Sequence, residues 1–276
     1  MRLTIRHTTR YEYAGPLARG LQRLRLRPKS SHGQKVLDWA MTLDGATVEA
    51  EFDDHNHNHT VLVSIPEGTS RISVTCAGTV ETADTVGIIG PHVGFMPLWC
   101  FLDQTELTAP GPELRALAAG LQGCSEDALD LLHALSATIH EAVAYEAGHT
   151  DAATTAEQAL VLGKGVCQDH AHVFIGAARQ LGVPARYVSG YLMIAGRTEQ
   201  DAGHAWAEAH VPGLGWVGFD VSNRTCPDAR YVRVATGFDY RDAAPISGIT
   251  FGMVGETVAE AGLSVSLSVE QQGADQ

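Results

Sequence analysis

The sequence predicts an α+β protein, with an all-β, sandwich-like part ahead of helices that pack on an antiparallel sheet. Three observations carry this. Residues 1–85 divide into short runs of alternating apolar and polar residues, separated by Gly, Pro, Asp and Asn clusters. Helical periodicity begins only after the Pro and Gly cluster at 110–112. Strand-like runs resume after Pro184, so helices precede a sheet rather than alternate with its strands.

In order, the β-rich part contains LTIRHTTRYEY, LQRLRLR, VLDWAMTLD, TVEAEFD, HTVLVSIP and RISVTCAGTVET. The stretch VGIIGPHVGFMPLWCFL has breakers and no clear period, so residues 86–110 read as a crossing between domains, anchored by Trp99 and Phe101. Helices follow at ELRALAAGLQ and at SEDALDLLHALSATIHEAVAY, the second with Ser125 as N-cap. A third starts near Val166, placing Phe174, Ala177, Ala178 and Leu181 on one stripe; Gly182 ends it and Pro184 prevents its continuation. ARYVSGYLMI, HAWAEAHV, WVGFDV and RYVRVATG then read as strands. The tail LSVSLSVE alternates like a last strand added to one of the sheets, with QQGADQ frayed beyond it. The resulting division is a β-rich domain over 1–85, the crossing, a catalytic core over 111–245 and a tail over 246–276.

A chain of 276 residues suits two packed domains. It has no apolar run of the roughly 18 residues that span a bilayer. A formal net charge of −13 opposes nucleic acid and anionic membranes as partners. The basic segment RGLQRLRLRPK, residues 19–29, reads as a half-buried strand with a solvated face rather than a nucleic-acid patch. Cysteines at 76, 100, 124, 167 and 226 are odd in number, widely spaced and without a CxxC pair, which fits a reducing compartment. With an N-terminus that reads as a strand rather than a signal peptide, the expected location is the cytoplasm.

The chemistry concentrates at GKGVCQDHAHVF, where Cys167 opens a helix directly after two glycines. Unpaired N–H groups at a helix N-terminus favour a thiolate there. A thiolate that attacks a carbonyl needs a proton donor for the leaving group, and His204, opening a strand in GHAWAE, is the best candidate. Asp220, in GWVGFD on the next strand, would orient it. If Pro212, Gly213 and Leu214 form a three-residue loop, residue 211 faces 215 and Asp220 becomes a diagonal neighbour of His204, about 7 Å away between Cβ atoms. A loop of two or four residues would turn Asp220 to the other face unless a bulge restored the register. His170 is a rival base at i+3 from Cys167, with only the adjacent Asp169 to fix its tautomer.

CQDHA at a helix start, GHAWAE on a strand and GWVGFD on the next, in that order and spacing, resemble the transglutaminase-like superfamily, especially bacterial proteins with a β-rich N-terminal region. The resemblance implies a papain-like core without metal or organic cofactor, in which Cys167 matches the nucleophile, His204 the base and Asp220 the third member. The family often has proline after that aspartate, where this chain has Val221. Gln168, Asp169, Trp99 and Gln104 are supporting or oxyanion candidates beside the backbone N–H groups near Cys167.

The activity this reading favours is hydrolysis of a peptide or protein amide through a thioester acyl-enzyme. Transglutamination, with an amine as acceptor, is the nearest alternative. A non-catalytic binding or assembly module on the same fold is the alternative from another class. His55, His57 and His59 in DDHNHNH would share one face of a regular strand and could hold zinc or nickel, but Asp54 and Asn56 suit a turn that breaks the alternation. Cys76, Cys100, Cys124 and Cys226 read as packing residues, His172 and His210 as structural or exposed, and Trp206 and Trp216 as core of the strands.

Overall fold

The computed structural model describes residues 1–252 and 260–272; positions 273–276 of the expected frayed end lie outside the described residues. Six strands come first: β1 (Arg2–Tyr13), β2 (Leu17–Leu24), β3 (Gln34–Asp44), β4 (Thr47–Asp53), β5 (His59–Ile65) and β6 (Arg71–Thr82). After β7 (Ile88–Gly90) and a single 3-10 turn (Leu98–Leu102) come α1 (Pro112–Leu121), α2 (Ala128–Ala142), β8 (Ala144–Tyr145), α3 (Ala156–Leu162), β9 (Lys164–Gly165) and α4 (Cys167–Gln180). The chain continues through β10 (Ala185–Leu192), β11 (Glu199–Gln200), β12 (His204–Val211), β13 (Gly215–Phe219), β14 (Tyr231–Gly237), α5 (Tyr240–Ala243), β15 (Ile246–Gly252) and β16 (Glu260–Gln271).

The N-terminal strands build two stacked sheets, ordered β11-β16-β1-β6-β3 and β15-β2-β5-β4. Alternation in the sequence makes the stack: Leu24, Val61 and Val63 of one sheet meet Val74 and Cys76 of the other, while the intervening residues face outward. The tail strand β16 pairs antiparallel with β1 along eleven positions, and β15 pairs with β2. Residues from both chain ends therefore complete the same two sheets.

The third sheet, β14-β10-β12-β13-β7, has helices on one face and the sandwich on the other. The helix face is Tyr187, Ala205, Ala207, Ala209 and Phe219, and α4 lies on it, with Phe174 stacked on Phe219 at 5.0 Å between centroids. Eleven of the fourteen residues of α4, from Asp169 to Arg179, are buried, so the helix that begins at Cys167 is the central helix of its layer. On the other face Tyr191, Val232 and Val234 pack against Leu3, Ile5 and Leu267 of the sandwich.

Several expectations need correction. The N-cap of α2 is Asp127, whose Oδ1 accepts from the N–H groups of Leu129 and Asp130; Ser125 instead accepts from the Asp127 N–H. The same helix stops at Ala142, because residues 144–145 pair in parallel with β9. Residues 86–110 are not only a crossing: β7 adds to the edge of the third sheet beside β13. Phe101 is a buried anchor there, but Trp99 is 64% exposed and anchors nothing.

Beneath the sandwich the third sheet buries a charged group. Glu208 is fully covered and accepts from Arg186 Nε at 2.7 Å and from Arg233 Nε at 2.6 Å. Burial favours its neutral acid, but the two guanidiniums outweigh this and hold the carboxyl down at about 2. Glu208→Gln would leave two buried guanidiniums without a counter-charge, and urea unfolding at pH 7 is expected to show a loss of about 3–5 kcal/mol. Because the folded carboxyl titrates below its ordinary value of 4.5, the ionised group stabilises the protein fully above that pH and progressively less toward 2. The penalty of the variant is therefore expected to shrink over that acid range; a constant penalty would show that charge is not its source.

Candidate functional site

Cys167 stands at the first position of α4 because the chain turns sharply before it. Val166 is the extended N-cap, and its N–H donates to Asp169 Oδ2 at 2.8 Å; Thr150 Oγ1 donates to the same oxygen at 2.7 Å. A Cβ at Gly165 would lie 2.7 Å from the Asp169 side chain, so this glycine is required for the close approach. Asp169 thus holds the helix start and does not face the thiol's partner. The first N–H groups of α4 have no partner within the helix, and Cys167, itself half-buried, lies among them.

His204 and Asp220 meet through the β12–β13 hairpin. Val211 pairs with Gly215 and Ala207 with Phe219, so the loop has three residues, 212–214. Gly215 ends it with φ 82°, and a Cβ there would stand 2.1 Å from the Gly90 carbonyl oxygen. In this register Asp220 lies diagonally from His204, and His204 Nε2 is 2.6 Å from Asp220 Oδ2. Nδ1 is the ring nitrogen left for Cys167.

Asp220 is 1% exposed and anchored from three further directions. Oδ2 also accepts from Tyr231 Oη at 2.8 Å and Asn223 Nδ2 at 2.7 Å, and Oδ1 accepts from the Asn223 N–H at 3.2 Å. Burial works against the carboxylate, but the bonds from His204, Asn223 and Tyr231 keep its titration below the usual aspartate value. The turn after Asp220 closes without the family's proline: Asp220 and Thr225 pair across it, and buried Val221 gives its carbonyl to His140 Nδ1 at 3.0 Å.

For His204, burial again disfavours the charged form, yet hydrogen bonding to Asp220 and to Cys167, together with their negative charges, raises the imidazolium to about 10. Trp206 stacks on the ring with centroids 6.2 Å apart, and Tyr231 crosses both. Cys167 and His204 line one cleft of about 300 Å3. Its opposite wall comes from the sandwich: His7, Thr9 and Tyr11 on β1, and Leu263 and Val265 on β16. His7 bridges Tyr191 Oη at 3.0 Å and Thr9 Oγ1 at 3.1 Å, and burial keeps it neutral down to about 4. No Asp, Glu, Lys or Arg among the described residues lines this cleft.

The remaining candidates do not all reach the cleft. Gln168 lines the cleft. Gln104 instead donates to the Gly176 carbonyl at 2.9 Å in the middle of α4, and Trp99 is exposed on the 3-10 turn, so neither lines the cleft. His170 is turned away from the thiol, with Nδ1 2.7 Å from Ser222 Oγ and Nε2 2.9 Å from the Val143 carbonyl. His55, His57 and His59 diverge: His55 lies 3.4 Å from Asp242, His57 stacks on Phe95 and His59 sits between Glu51 and Asp53. Asp54 is the reason, since its Oδ1 accepts from the N–H groups of Asn56 and Asn58 and closes a turn with His57 at φ 56°.

Tyr231 and Asn223 escape sequence reasoning. Asn223, three residues after the aspartate, has the spacing of a side chain that closes a turn, which is a usable signal. Tyr231 arrives from another strand and leaves none.

Comparison with known proteins agrees with this architecture. Residues 115–221 match the family described as transglutaminase-like superfamily, and residues 3–81 match the bacterial transglutaminase-like N-terminal region. A crystal structure of a candidate cysteine protease from Cytophaga hutchinsonii superposes with a TM-score of 0.77 at 25% identity, covering 100% of this chain and 92% of that one. An uncharacterized protein of Mycobacterium leprae is 28% identical over 91% of this chain and 94% of its own length. One of Mycobacterium tuberculosis H37Rv is 27% identical over 91% and 88%, respectively.

The His204 geometry has a direct spectroscopic consequence. By 15N NMR of the imidazole, His204 is expected to stay doubly protonated until about pH 10 and to titrate closer to its ordinary value of 6.5 in Asp220→Asn. Titration near 6.5 in the unaltered protein would contradict the charge arrangement described.

Proposed function

Because the chain belongs to the transglutaminase-like superfamily, we propose that it is a cysteine-dependent amide hydrolase of peptidase or isopeptidase type, with Cys167 as nucleophile, His204 as acid and base, and Asp220 as the group that orients His204. The observation that carries this reading is the Asp220–His204 bond of 2.6 Å beside a half-buried cysteine at a helix start, in one cleft.

The Cys167 thiolate attacks the amide carbonyl carbon, forming a C–S bond and pushing the carbonyl electron pair onto oxygen. N–H groups at the start of α4 are suited to hold that oxyanion. As the oxyanion collapses, the C–N bond breaks and His204 transfers its Nδ1 proton to the departing amine. Water then gives a proton back to His204 as its oxygen attacks the thioester; the C–S bond breaks, releasing a carboxylic acid and restoring the thiolate–imidazolium pair. Asp220 stays ionised throughout, keeping Nε2 as a donor and Nδ1 toward the thiol.

Water is the proposed acceptor, since hydrolysis needs no second groove that admits an amine and excludes water. Apart from Cys167 and His204 themselves, the lining of the cleft carries no Asp, Glu, Lys or Arg, which favours a substrate whose nearest side chain is neutral, because a buried charge there would meet no partner. All five cysteines are unpaired, which supports the cytoplasm as the working compartment.

Mass spectrometry on a peptide-amide library is expected to trap an acyl group on Cys167 and to find none on Cys167→Ser; a fully inert cysteine would favour a binding module on this fold. Asp220→Asn is expected to lower kcat by about 10^3-fold or more, through loss of the correct tautomer. In the presence of a primary amine, most product is expected to be the acid; dominant amide product would instead identify a transglutaminase. Placing Lys or Glu next to the scissile amide is expected to lower kcat/KM by roughly tenfold or more, and an unchanged value would place the substrate side chain outside the cleft.

A further inference from the structure

On the face of the third sheet away from the helices lies a second, wider cavity of about 680 Å3. It gathers two features of the sequence that the catalytic reading leaves unused: the end of the basic segment, with Arg27 and Lys29, and the histidine-rich turn, with His57 and His59. Arg186 and Arg233 of the third sheet form its floor. Four cationic side chains therefore border one cavity, against a single lining carboxylate, Asp53. Asp53 lies 67% exposed on the rim, next to His59.

Charge is not balanced beneath the surface either. Lys29 Nζ donates to the Asn56 carbonyl at 2.7 Å and to Thr236 Oγ1 at 2.8 Å, both uncharged. Arg186 and Arg233 share one carboxylate, Glu208, and the other carboxylate acting on Lys29, Asp54, is already paired with Arg25. Burial, and then the proximity of Arg233 and Arg186, pushes the Lys29 ammonium well below its ordinary titration range. Arg186 is also fixed in place, with its guanidinium 3.9 Å from the centre of the Trp216 ring. Each guanidinium commits Nε to Glu208; both Nη groups of Arg186 and Nη1 of Arg233 have no hydrogen-bond acceptor among the described residues. Preorganised, under-compensated guanidinium edges in a cavity are the chemistry that recognises an oxyanion. Against a net charge of −13, such a concentration of cations is local and not a property of the whole surface.

We propose that this cavity is a binding site for a small oxyanion, the phosphate or carboxylate group of a ligand held by Arg186, Arg233 and Lys29 and closed over by Arg27, at the seam between the N-terminal sandwich and the third sheet. The site is separate from the Cys167 cleft: no residue lines both, and Trp206 stands between His204 and Glu208 along the face of β12 that they share. Its ligand is therefore a stabiliser or effector rather than the substrate of the thiol. Because Arg27 and Lys29 come from one part of the fold and Arg186 and Arg233 from another, bound anion strengthens the seam and raises thermal stability by mass action.

The test is thermal unfolding and isothermal titration of the full chain with inorganic phosphate, and separately with acetate, at ionic strength held constant with NaCl. Saturable phosphate binding is expected, with Tm rising by about 3 °C or more at a hundredfold excess over Kd. Arg27→Glu, a change at an exposed position, is expected to weaken binding at least tenfold while leaving the Tm without phosphate within about 1 °C. Lys29→Met is expected to weaken it as well, with near-UV circular dichroism reporting whether that variant is folded. Saturation by acetate but not phosphate would identify a carboxylate ligand. A Tm that follows only ionic strength, or phosphate binding unchanged in Arg27→Glu, would overturn the proposal.

Discussion

A carboxylate removed from water must be compensated where it lies, and Asp220 imposes that constraint on the site. With 1% of its surface exposed, it is held ionised by His204, Tyr231 and Asn223 and by one backbone N–H. These bonds make demands on separate parts of the chain. The three-residue loop must set the β12–β13 register, β14 must deliver Tyr231, and the turn after Asp220 must bring Asn223 back. The orientation of His204 is the product of all three, and the position of Cys167 matters only because the ring is already fixed.

The thiol is positioned by a second, independent device. Asp169 ties the start of α4 to Val166 and Thr150, and the burial of the following turns locks the helix against the third sheet. The cleft between these two devices is completed by β1 and β16, from opposite ends of the chain. The sandwich is therefore a wall of the cleft as well as a neighbouring structure. Its contribution is neutral, with His7 shared between Tyr191 and Thr9, whereas the cationic groups gather in the other cavity, farther along the third sheet. The molecule keeps charge away from the thiol except where His204 and Asp220 supply it.

Much of this is legible in the sequence because it depends on short-range rules. Alternation defines the sandwich strands, the two glycines and the stripe through Phe174 define α4, and counting back from Pro212–Gly213–Leu214 places Asp220 diagonally from His204. The omissions have physical reasons. The helix α3 is only seven residues long and too short for periodicity to reveal, although Thr155 and Gln158 carry a capping-box spacing that marks its start. Ser125 loses the N-cap of α2 to Asp127, a competition between two good caps two residues apart that local preference does not decide. Trp99 and Gln104 have suitable donors, but where a donor points depends on long-range packing; Gln104 is spent on α4 and Trp99 faces solvent. The pairing of β15 with β2, and the convergence of Arg27 and Lys29 with Arg186 and Arg233, join segments more than a hundred residues apart that no local pattern connects.

Whether Cys167 and His204 act as a thiolate–imidazolium pair can be read from the rate of Cys167 alkylation by iodoacetamide as a function of pH, with Cys167→Ser identifying the labelled site. Rapid labelling is expected below pH 7 and is expected to disappear in His204→Ala. Slow labelling that rises only near the ordinary thiol range of about 8.5, and does so identically in both proteins, would contradict it.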